Sequence, residues 1–102
     1  MARGVIPQAF RGVWSANDIC RKDEFDDSKL TITARDLQYY ESGGSVISVT
    51  VRSARDIVVK AKFSGEDQSW TDKGEFRLSR NGNMLISVFR DRTSFARHRC
   101  KL

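Results

Sequence analysis

From Leu30 onward the apolar residues recur at every second position, and no stretch of the chain sustains the 3.6-residue spacing of an amphipathic helix. Leu30, Ile32 and Ala34 alternate with Thr31 and Thr33. Ile47, Val49 and Val51 alternate with Ser48, Thr50 and Arg52, and Ile57, Val59, Ala61 and Phe63 with Val58, Lys60 and Lys62. Successive side chains on a strand point to opposite faces, so each run offers one face to a core and one to water. Composition agrees: Val, Ile, Thr, Phe, Trp and Tyr total 29, against 12 for Ala plus Leu. A chain patterned this way buries itself as sheet.

Turn signals divide the pattern into short strands. Arg35-Asp36 and Arg55-Asp56 read as turns, Ser42-Gly43-Gly44 closes a hairpin, and Ser64 to Ser69 forms a glycine-containing loop. Asn81-Gly82 is the pair favoured in a type I′ turn. Strands are expected from Gly12, over 30–34, 37–41, 46–52 and 57–63, over 70–79 with an interruption near Lys73-Gly74, and over 84–89 and 95–100. Pro7 to Phe10 makes one helical turn at the start. At 102 residues this is one domain, 1–102. Apart from the first, a polar and acidic loop over 17–28, the connections of two to six residues are too short to cross over a sheet, so the seven or eight strands form an antiparallel meander. Such a sheet leaves exposed edges unless it closes into a small barrel or folds into a sandwich.

Most chemistry is excluded at this stage. His98 is the one histidine, and neither a P-loop nor a dinucleotide fingerprint is present. Zinc sites need three or four His or Cys ligands, and the chain has only Cys20, His98 and Cys100. The acidic run Asp23-Glu24-Phe25-Asp26-Asp27 lacks the alternating ligands and central glycine of a calcium loop and reads as solvated. We therefore expect no catalysis, cofactor or metal. No apolar run approaches the roughly 18 residues of a membrane span. The net charge of +5 is uneven, −1 over residues 1–51 and +6 over residues 52–102. That permits an alternative reading as a basic small barrel for single-stranded nucleic acid, with bases stacked on Tyr39 or Tyr40. Being adjacent on a strand, the two tyrosines cannot share one face.

Phe10-x-Gly12-Val13-Trp14 resembles the opening of lipocalin-like barrels. In these a helical turn precedes a Gly-x-Trp on the first strand, and an arginine from the last strand covers the indole. The resemblance implies that Trp14 caps the closed end beneath Arg97 or Arg99, and alternation cannot choose between the two. More widely, several stretches resemble a group of small bacterial proteins of no established activity, usually exported. These are Ile6-Pro7-x-x-Phe10-x-Gly12-x-Trp14, Cys20, Tyr40-Glu41-Ser42-x-Gly44, Ser64-Gly65-Glu66-x-x-x-Trp70, Phe76-Arg77-Leu78-Ser79 and Arg99-Cys100. The resemblance implies a lipocalin-like fold and a periplasmic or secreted location; the N-terminus as written has no export signal, which leaves a cytoplasmic alternative.

Two further expectations follow from the residues. In a closed meander the first and last strands are neighbours, so Cys20 and Cys100 can form a disulfide. Tyr39, Tyr40, Glu66 and Trp70 are candidates for a binding rim. The function expected is non-catalytic binding of a partner protein or a small apolar ligand in the bacterial envelope.

Overall fold

Residues that alternate in the sequence pair across antiparallel ladders in the computed structural model, which describes residues 2–17, 28–89 and 91–100. The strands are β1 (Ala2–Arg3), β2 (Gly12–Ser15), β3 (Leu30–Ile32), β4 (Asp36–Gln38), β5 (Gly43–Ser53), β6 (Asp56–Gly65), β7 (Gln68–Leu78), β8 (Met84–Val88) and β9 (Ser94–Arg99). A 3₁₀ turn, Gln8–Phe10, follows Pro7. Strands β2 to β9 pair in chain order, and β2 also pairs with β9 through Trp14↔Arg99 and Ser15↔His98. Eight antiparallel strands thus close into a barrel, which removes the sheet's edges and excludes the sandwich. The short β1 lies outside the circuit and pairs with β5 at Thr50 and Val49, beyond the reach of β4.

One side of every strand faces inward. Leu30, Ile32, Leu37, Val49, Ile57, Val59, Ala61, Phe76, Leu78 and Leu85 form the core with Ile6, Phe10 and Trp14. Burying one such large side chain contributes about 1.5–3 kcal/mol, so the alternation is the main determinant of the fold. An eight-stranded barrel is just wide enough for side chains to fill it, and here they fill its lower part.

The structure corrects several local readings. Gly43 and Gly44 lie within β5 and not in a turn. Gly44 stands opposite Phe63, and a Cβ there would come within 2.6 Å of the ring, so this glycine makes room for an aromatic. The strand read as 37–41 ends at Gln38, and Tyr39 N–H donates to Ser42 O (2.8 Å) across the turn. A register shift between Val46 and Ser48 turns Ile47 outward, 50% exposed, so that Val46 and Val49 pack inward on either side of it. The extra residue of a β-bulge has this effect, and strict alternation cannot foresee it. The expected loop 64–69 contracts to the two residues Glu66 and Asp67, both at positive φ as a type I′ turn requires. Strand β7 runs through Lys73-Gly74 without interruption. At Asn81-Gly82 only Gly82 has positive φ, and its N–H donates to Ser79 O (3.0 Å). The connection is a type I turn ending in a left-handed glycine, not a type I′ turn.

Candidate functional site

The two ends of the barrel differ. At one end the chain crosses beneath the strands through Ile6 and Phe10, both fully buried. Trp14 is 0% exposed, and its Nε1–H donates to Phe10 O (3.0 Å). Arg99 lies over the indole, with Cζ 4.2 Å from the ring centroid. Its guanidinium also donates to three carbonyls, Arg11 O (2.8 Å), Ala9 O (2.8 Å) and Gly82 O (3.2 Å). Gly12 permits this approach, because a Cβ there would stand 2.9 Å from Arg99 Nη1 and the residue has φ of +133°. The Gly-x-Trp spacing therefore joins two requirements, an indole and space for the guanidinium above it. Arg97, one inward position earlier, serves elsewhere. It stacks over Phe95 (4.5 Å) and Tyr39 (5.8 Å) and donates to Ser28 O (2.6 Å) and Ser87 Oγ (3.2 Å).

The opposite end is open. There β6 and β7 pair as Phe63↔Trp70, far along the ladder from Ile57↔Phe76. A cleft of about 270 Å³ opens among Tyr39, Phe63, Trp70, Phe76 and Phe89, with Leu37 and Val59 also in its walls. Phe63 and Trp70 stack at 5.9 Å with 17° between planes, and Tyr39 tilts against Phe63 at 6.1 Å. Trp70 is 42% exposed and Phe89 54%, an unusual presentation for large aromatics on a small domain. Asp72 on β7 supplies a carboxylate to the same cleft. Burial holds the Tyr39 phenol above its ordinary range; the Arg97 guanidinium pulls against this rise and the Asp72 carboxylate adds to it. The arrangement can take an apolar or planar group against stacked rings.

Of the expected rim residues, Tyr39 and Trp70 come together in this cleft. Glu66 sits at the tip of the β6–β7 hairpin, in a separate small hollow that shares only Trp70 and Ser42 with the mouth. Tyr40 is half-exposed and lines neither of these two clefts. Phe63, Phe76 and Phe89 were not singled out from the sequence. The available signal was the alternation that places Phe63 and Phe76 inward on β6 and β7, with Phe89 continuing the inward parity of Leu85 just past the end of β8. His98 faces outward and hydrogen-bonds the Asn17 carbonyl. Cys100 is buried after β9, and its N–H donates to Val13 O (2.8 Å); no free cysteine is found among the described residues. Cys20 and the acidic run 23–27 lie outside the described residues. Among the described residues no group of His, Cys, Asp and Glu could hold a metal ion, and no helix is long and apolar enough to cross a membrane. Comparison with protein-family models, curated proteins and solved structures finds no match to this chain.

Proposed function

We propose that this barrel is a non-catalytic binding protein of the bacterial envelope whose open mouth accepts an apolar group. The aromatic cleft at the end opposite the Trp14 cap carries the reading. Large apolar surfaces left in water are unfavourable, and rings stacked around an open hollow recover that energy when a ligand covers them. A volume of about 270 Å³ lies just under the ~300–1,000 Å³ typical of sites that enclose a drug-sized molecule. The occupant is accordingly a small apolar ligand, or one apolar side chain presented by a partner protein. The envelope assignment rests on the resemblance described above and on the expectation of a Cys20–Cys100 bridge, which would belong in an oxidising compartment. Trp70 provides the test, since it is at the mouth while Trp14 is sealed. Titration with octanol should change the tryptophan emission of the wild type and not that of Trp70→Phe. An unchanged wild-type signal across octanol and other small apolar compounds would count against the mouth as a binding site.

A further inference from the structure

The barrel wall is incomplete beside the mouth. Strand β7 pairs with β8 only from Glu75↔Val88 to Leu78↔Leu85, whereas it pairs with β6 all the way to Gln68. Beyond Phe89 the chain leaves β7 for the β8–β9 turn, and a notch opens there. Gly74 occupies the inward-facing position at the notch, and a Cβ added to it would meet only the Phe76 ring, at 3.9 Å. On the outer face a groove of about 450 Å³ begins at the same residues. The mouth and the groove share Lys73, Gly74 and Phe89.

The groove is cationic. Arg52 and Arg77 both hold Glu75, each at 2.6 Å, so its one carboxylate is already doubly engaged. Lys73 and Arg92 also line the groove and make no ion pair among the described residues. Lys73 stands directly across the ladder from Lys60, and like charges in that position are unfavourable until an anion neutralises them. Arg92 is held in place by its turn despite a φ of +73°. Its N–H donates to Phe89 O (3.0 Å), and Phe89 N–H donates to Thr93 O (2.9 Å). Lys73 and Phe89 also line a hollow with Asp72, Asp91 and Thr93. On the groove side an anion at Phe89 meets two cations, Lys73 and Arg92.

From this continuity we infer that mouth and groove form one site for an amphiphilic anion, with an apolar tail among the rings and a carboxylate or phosphate head on Lys73 and Arg92. The inference rests on the mouth as the tail's site, and it adds the head and the direction from which the ligand enters. Both cations are exposed, so two such contacts together raise affinity by only about tenfold, and salt weakens the effect.

Isothermal titration of the intact protein at low ionic strength with octanol, octanoate, octyl phosphate, octyltrimethylammonium and inorganic phosphate tests it. Octanoate and octyl phosphate should bind about tenfold more tightly than octanol, and the quaternary ammonium more weakly than octanol. Whichever of the two anions binds better identifies the head group. Lys73→Gln with Arg92→Gln should bring the anionic probes down to the level of octanol measured on the same variant. Gly74→Val has room to fold, narrows the notch, and should weaken octyl phosphate more than octanol. Equal affinity for all four octyl probes overturns the inference and leaves the mouth reading standing, whereas no binding of any octyl probe removes both. Inorganic phosphate binding as tightly as octyl phosphate, or oligothymidylate binding that leaves Trp70 emission unchanged, would also overturn it, since either makes the groove independent of the mouth.

Discussion

Replacing Arg99 by alanine removes the cover of the closed end and leaves the core side chains in place. The guanidinium lies 4.2 Å from the centroid of a fully buried indole, a desolvated geometry in which a cation–π contact contributes about 2 kcal/mol. It also donates to Arg11 O and Ala9 O, both at 2.8 Å. These carbonyls are near the surface and water can replace the donor in part, so each bond adds about 1 kcal/mol. The expected loss is about 3–4 kcal/mol, a large part of the 5–15 kcal/mol that holds a domain of this size. Near-ultraviolet circular dichroism should show a melting point lower by roughly 15 °C, together with a changed Trp14 band. Arg99→Lys separates the contributions. It keeps a cation over the ring but cannot reach the separate carbonyls with a planar fork, and it should retain about half of the lost stability. A melting point for Arg99→Ala within about 3 °C of the wild type would refute the argument that the cap stabilises the closed end.

Gly44→Ala places a methyl group 2.6 Å from Phe63 Cε1 and should destabilise by about 1–3 kcal/mol. It should also weaken octanol binding by pushing the ring into the mouth, both effects being measurable by thermal melts with and without ligand. The Tyr39 phenol ionises above its ordinary 10.0 because burial disfavours the phenolate. The folded state thus prefers the neutral form, and that part of the stability is complete below 10.0 and lost as pH rises through the raised value. Urea midpoints above pH 10 should fall more steeply for the wild type than for Tyr39→Phe, and parallel curves would contradict this. The Cys20–Cys100 bridge would close a loop of about 80 residues and contribute roughly 4–5 kcal/mol by restricting the unfolded chain. Denatured, unreduced protein should show no titratable thiols, and two would refute the bridge.

The strands of this barrel are legible because one force places them: alternation decides which face is buried, and Ile57, Val59 and Ala61 are all buried where the pattern puts them. The features that escape the pattern answer to contacts distant in sequence. Gly43-Gly44 has the composition of a turn, yet Gly44 is set by a ring nineteen positions later in the chain, across the β5–β6 ladder. Ile47 lies in a clean period-2 run and still faces water, because the bulge that rotates it is a property of two paired strands. The capped end was implied by the resemblance that Phe10, Gly12 and Trp14 carry, although the choice of Arg99 over Arg97 depends on which inward position of β9 meets β2. The mouth was half legible. Tyr39 and Trp70 stood out as aromatics beside turns, while Phe63, Phe76 and Phe89 resembled ordinary core residues until closure brought them to one end.

The claim that the barrel binds through its open end is tested most directly by two-dimensional amide NMR during titration with octanol. The account predicts that the largest shifts fall on Tyr39, Phe63, Trp70, Gly74, Phe76 and Phe89, the residues around the cleft. Trp14, Arg99 and their neighbours at the sealed end should stay in place. Shifts centred on the Trp14 end, or scattered over outward residues such as Tyr40 and Ile47, would contradict it.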